Sequence, residues 1–244
     1  MKKMFNTELK KISSYKMIAI FFICIIISGI IIGSILFGLG TDGKIESVLS
    51  RANISIPENS DKWYGWPTVA LLFSNIFNKA CYIIVEAILI DDIFIKEFRN
   101  KTILQLFSYP VKKEKILWTK IEIILGITFV LSVLSQLVMV IIIKVVASQM
   151  GDVFDISVLD VVKLLVPLIG VTFLGIIPIT LGSIKNSTAS TIIGALVIVV
   201  LVCNAFPGTA LSKIMDSIPV LIGMVVAGGA ICLYTVQAAS KRKI

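Results

Sequence analysis

The chain has 244 residues, 57% of them hydrophobic, and a mean hydropathy of +0.99, which sets it apart from soluble domains with roughly 45–50% apolar residues. Histidine is absent, removing the commonest general base and metal ligand. Cys24, Cys81, Cys203 and Cys232 all lie in apolar runs without C-x-x-C spacing, so neither a disulfide framework nor a zinc site is indicated. The net charge of +8 comes from lysines flanking apolar runs, a pattern of membrane topology and not of nucleic-acid binding.

The first 16 residues hold Lys2, Lys3, Lys10, Lys11 and Lys16, with Met4, Phe5, Leu9 and Ile12 on roughly one helical face. That pattern fits a short amphipathic helix on a membrane surface; a disordered basic tail is the alternative. The apolar run that follows, 17–39, is longer than a signal-peptide core of about 7–15 residues, so it is expected to be a retained first span. Further runs at 68–90, 117–143, 160–183, 189–206 and 217–238 give six. Inside a bilayer only helices satisfy their backbone groups within one open segment. The expected fold class is all-α, a polytopic membrane protein of six transmembrane helices in one domain. The loop 41–66 ends in Trp63, Tyr64 and Trp66, as aromatic belts do. Lysines and arginines beside the span ends divide sixteen against six between the two sides. The richer side holds both termini and the loop after the second span, which makes that side cytoplasmic.

The loop after the second span is a charged, Pro-punctuated island, Glu97 to Lys120, EFRNKTILQLFSYPVKKEKILWTK. Thr102 and Gln105 have capping-box spacing, and Ile103, Leu104, Leu106 and Phe107 then form an apolar stripe. Pro110 disfavours helix at Tyr109 and suits the first position of the next helix, which would run through Lys112 and Lys113 into the third span. A helix this short is not stable alone in water. Its stripe must be covered by the chain's own spans, by the membrane surface or by a partner.

The island resembles the signature of ABC-2 type transporter permeases, in which a Glu and a Gly-Thr pair precede a Leu-rich helix, Pro-Val, basic residues and a final Lys. The matching positions are Glu97, Thr102, Leu104, Leu106, Pro110, Val111, Lys112, Lys113 and Lys120, with Lys101 in place of the Gly. Six spans and the basic amphipathic start extend the resemblance over the whole chain. It implies a coupling helix over 98–108, within a coupling region spanning 97–116. That helix would dock on a separate ATPase subunit, present in two copies and carrying the ATP and Mg; this chain would bind no cofactor and catalyse nothing. A second permease half, identical or related, is implied as well. Small size and a lack of any large outer domain resemble lantibiotic-immunity permeases, which expel an amphipathic antimicrobial peptide from the bacterial cytoplasmic membrane. Trp63, Tyr64 and Trp66 are the candidate contacts with such a peptide.

Gly38 to Lys44 matches G-x-x-x-x-G-K, but Ile45 stands where a P-loop needs Ser or Thr, and no strand precedes it. In the second span Lys79 and Glu86 lie seven residues apart on one face, with Ser74, Asn75 and Asn78. A charge at a helix centre costs about 2.5–3.5 kcal/mol on insertion scales, so this face must meet protein or water. It would line a translocation path or subunit interface, or make a polar contact between helices. Asp91 and Asp92 mark the inner interface. Gly29/Gly33 and Gly223/Ala227 have the small-xxx-small spacing that allows close helix approach, and Pro167 and Pro178 are candidate kinks in the fourth span.

Three other functions compete with the exporter. An ion-coupled secondary transporter would use Lys79 and Glu86. An intramembrane enzyme has no nucleophile or metal constellation to rest on. An anchor or sensor subunit leaves the polar face of the second span without a purpose. An ABC-2 exporter of a different amphiphile or drug is the nearest variant.

Overall fold

The computed structural model describes residues 14–42, 66–100, 102, 112–151, 156, 158–185, 187–204 and 218–240, and every element among them is helical. In chain order these are α1 (Ser14–Asp42), α2 (Trp66–Ile90), a π-helical turn (Asp91–Ile95), α3 (Lys96–Arg99), α4 (Lys113–Met150), α5 (Val158–Gly175), α6 (Pro178–Lys185), α7 (Thr188–Asn204) and α8 (Ile218–Ser240). Five helical stretches are long and apolar enough to cross a membrane, and the apolar helix at 188–202 is a shorter sixth candidate. Outside the described residues lie most of the expected amphipathic start, Trp63 and Tyr64, and the stripe Ile103, Leu104, Leu106, Phe107 with Pro110.

The bundle is apolar outside and polar within. Phe22, Ile26, Ile30, Ile193, Val197, Val226 and Leu233 are exposed, whereas Ser74, Asn78, Glu86, Lys120, Thr128, Ser132 and Gln136 are buried. Lipid tails solvate the first set, and interhelical hydrogen bonds can serve the second. The central helix is α2, packed on α4, α7, α5 and α1. At the margin of the bundle, α1 turns Cys24, Ser28 and Ile32, spaced at i, i+4 and i+8, inward and leaves most of its apolar side chains exposed.

Three boundaries differ from expectation. The second helix does not stop at residue 90 but continues through Arg99. Ile93, Phe94, Ile95 and Phe98 are buried with Leu117 and Ile121 of α4, and that burial holds the segment helical past Asp91 and Asp92. Phe98 and Arg99 therefore close this helix and do not open a coupling helix at 98. The third-span helix begins at Lys113 and not at Pro110, because Lys112 is an extended cap (φ −58°, ψ 128°). This 38-residue helix is roughly 57 Å long at 1.5 Å per residue, nearly twice a hydrocarbon core of about 30 Å. It ends at Gly151, whose φ of 83° gives the left-handed terminus that glycine adopts freely.

The fourth span is two helices. Pro167 sits inside α5 without interrupting it, and the break falls at Ile176–Ile177, immediately before Pro178. Shorter-range bonds bridge it, from Ile177 N–H to Leu174 O (3.1 Å) and from Ile179 N–H to Ile176 O (3.0 Å). Among the described residues neither small-residue motif packs against another helix at its glycines. A side chain added at Gly29, Gly33 or Gly223 would meet nothing, whereas one at Gly228 would strike the backbone of Phe173. The close crossing of α8 and α5 is at Gly228.

Candidate functional site

The base of the island is built by two helix ends and one ion pair. In the π turn each N–H reaches one residue further back than in an α-helix, and such turns are frequent at functional sites. Here the turn precedes α3, and the Phe94 and Phe98 rings stack at 5.1 Å on the side facing α4. The long side chain of Lys120 enters from the second turn of α4 and is fully buried. Its Nζ lies 2.9 Å from Glu97 Oε2 and donates to Ile93 O at 3.3 Å. A buried ammonium is tolerable only when paired and hydrogen-bonded, and both conditions are met. The Thr102 hydroxyl donates to Glu97 O at 3.3 Å, and Asn100 N–H to Lys96 O at 2.9 Å, satisfying carbonyls that the end of α3 leaves open. On the exposed side Asp92 pairs with Lys96 at 3.5 Å.

Of the ten coupling positions expected from sequence, Glu97, Thr102 and Lys120 are brought together. Lys112 and Lys113 are exposed at the start of α4. The other five lie outside the described residues. Glu97 and Lys120 are 23 positions apart, so their pair ties the chain entering the island to the chain leaving it. The π turn and the Ile93 carbonyl were not foreseen. The apolar spacing of Ile93, Phe94 and Phe98 beyond the two aspartates was the signal available.

A family model described as ABC-2 family transporter protein matches residues 4–204. The chain belongs to the ABC-2 transporter family. The "Uncharacterized protein YcbO" of Bacillus subtilis (strain 168) is 30% identical over 171 residues, covering 66% of this chain and 74% of that protein. No solved structure matches.

In this ABC-2 protein the polar face of the second span is largely sunk against the third. Asn78 Nδ2 donates to Ser132 O at 3.0 Å, Gln136 Nε2 to Ser74 Oγ at 3.4 Å, and Ser74 Oγ to Leu71 O at 2.9 Å. Tyr82, one turn further, is buried on the side of Ser135, and its hydroxyl makes no hydrogen bond. Ser74, Asn78 and Tyr82 thus run at i, i+4 and i+8 along one seam, a polar contact between helices. Lys79 is 6% exposed, so it too lies within the chain, and Asn75 is half-buried with no partner for Oδ1. The Glu86 carboxyl lies against Gly175 of α5. Trp66 corrects an expectation. It is 5% exposed and clusters with Val69, Ala70, Ile32 and Met139, so it packs the bundle and presents no aromatic surface to a substrate. Among the described residues no three His, Cys, Asp or Glu side chains converge as metal ligands.

Proposed function

We propose that the chain is the permease subunit of an ATP-driven exporter in the bacterial cytoplasmic membrane, with both termini and the island on the cytoplasmic side. A separate ATPase, in two copies, supplies ATP hydrolysis, and a second permease half completes the path. The observation that carries this reading is the Glu97–Lys120 pair at the base of the island. It fastens a segment with an apolar stripe to the two spans that a docked ATPase would have to move. The stripe Ile103, Leu104, Leu106 and Phe107 is the contact, with Pro110, Lys112 and Lys113 beside it. The cargo is an amphipathic antimicrobial peptide of the lantibiotic class, met first by Trp63 and Tyr64.

The direct experiment is co-expression with an ATP-binding-cassette ATPase from the same genome. Leu106→Asp and Phe107→Asp should insert normally, fail to co-purify with the ATPase and abolish peptide-stimulated ATP hydrolysis. Unchanged co-purification and stimulation in both variants would refute docking through this stripe. The cargo is tested separately: cells carrying the pair should tolerate a lantibiotic that kills cells lacking it. Protection against other amphiphiles but not lantibiotics would reassign the substrate and leave the permease reading intact.

A further inference from the structure

Glu86 lies deep in the bundle, 1% exposed, and its Oε1 has no hydrogen-bond partner. The other carboxyl oxygen occupies the space where a Cβ would project from Gly175, the last residue before the break in the fourth span. The surrounding helices offer no counter-charge. Residues 164–184 of the fourth span, 188–202 of α7 and 123–143 of α4 contain no ionisable side chain. Cys232 of α8 faces the carboxyl, Tyr82 and Lys79 lie one and two turns away along α2, and Lys120 of α4 is held by Glu97 and Ile93 O. On α1 the Cys24 thiol is engaged with Cys81. A sodium ion would require several oxygen ligands, as hard cations do, and this corner supplies one carboxyl group wedged against a glycine.

We propose that Glu86 is a proton-binding site, and that the bound proton allows the second span to close on the break of the fourth. A carboxylic acid can be enclosed there at the cost of a neutral polar group. A lone carboxylate in the same space would carry a desolvation penalty of several kcal/mol. Loss of the proton would therefore drive the carboxylate toward water and part α2 from Gly175. The bond made and broken is only the O–H of the carboxyl, the proton passing to or from water when the break opens. This goes beyond the exporter reading and does not depend on the ATPase.

The test uses the purified full-length protein in lipid nanodiscs. Dicyclohexylcarbodiimide, an apolar reagent that adds to protonated carboxyls, should attach one reagent mass to the peptide containing Glu86, with incorporation falling as pH is raised. In parallel, the infrared difference spectrum between wild type and Glu86→Gln should show a protonated-carboxyl C=O band in the wild type that shifts in heavy water. Either signal at neutral pH supports the proposal. A carboxylate band in the difference spectrum, with no adduct, would overturn it. Glu86→Gln matches the neutral acid in shape and charge, so its failure to fold would also count against the proposal, and the adduct measurement needs no variant.

Discussion

Breaking the pair between Glu97 and Lys120 should have unequal consequences depending on which partner is removed. Lys120 is fully buried, whereas the Glu97 side chain is 15% exposed. In Glu97→Ala the ammonium loses its carboxylate in a place where water cannot replace it. Stranding a buried charge costs about 3–5 kcal/mol. In Lys120→Met the carboxylate remains at the edge and recovers part of its hydration, while the methionine stem fills the same space between Leu117 and Ile121; the expected loss is about 1–2 kcal/mol. The double variant strands neither charge, so its loss should fall short of the sum by about 2 kcal/mol, within the range known for contacting residues. Reversible unfolding in mixed micelles, followed by tryptophan fluorescence, gives all three values. Additive losses, or Lys120→Met costing more than Glu97→Ala, would refute the clasp as the element that closes the island.

Three further outcomes follow from the packing. Gly228→Ala drives a methyl group into the Phe173 backbone and should cost about 1–3 kcal/mol as an overpacked contact; its neighbour Gly229→Ala meets nothing and should be neutral or stabilising by up to about 1 kcal/mol through helix propensity. Thermal unfolding of the two single variants checks that contrast. Asn78→Leu removes the hydrogen bond to Ser132 O and should cost about 0.6 kcal/mol, the average for hydrogen bonds between membrane helices, and no more than about 1.7 kcal/mol, read by the same unfolding assay. Phe107→Asp should leave that unfolding midpoint unchanged while abolishing ATPase stimulation; a large drop in the midpoint would mean that the stripe is covered by the chain's own helices.

The architecture was legible because bilayer thickness imposes a length on every apolar run, and among the described residues each of the six expected runs is helical, the fourth in two pieces. Helix ends were less so, since packing decides them. Asp91 and Asp92 look like a terminus by charge, yet Ile93, Phe94, Ile95 and Phe98 find a buried surface on α4 and carry the helix to Arg99. Of the two prolines flagged in the fourth span, Pro167 is tolerated within a buried helix and Pro178 coincides with the break. Nothing in the local sequence separates them; the difference lies in what each turn packs against. The signature residues Glu97 and Lys120 were visible as a pattern, but their contact was not, because a separation of 23 positions says nothing about pairing until both helix ends are in place. Trp66 was misread for the related reason that an aromatic residue beside a span end can face either the interface or the core.

On the proposed function, the clasp would let a short island act on the whole bundle. A segment that merely links two spans transmits little, because each flexible residue absorbs motion at its own φ and ψ. Here the linking segment is shortened at both ends. On one side α2 continues unbroken in helical form through the π turn to Arg99; on the other, α4 begins at Lys113 and is joined to that continuation by Lys120. A push on the residues between Asn100 and Lys112 therefore reaches two helices held as one body. One of them is the 38-residue α4, and the other is α2, which packs on α1, α4, α5 and α7. On the proposed function, ATPase closure need displace only this joined base. Far down the same α2, Glu86 rests against the break in the fourth span, the one place among the described spans where the helix backbone is already interrupted. A displacement delivered at Glu97 along a stiff helix arrives where the least backbone hydrogen bonding resists it.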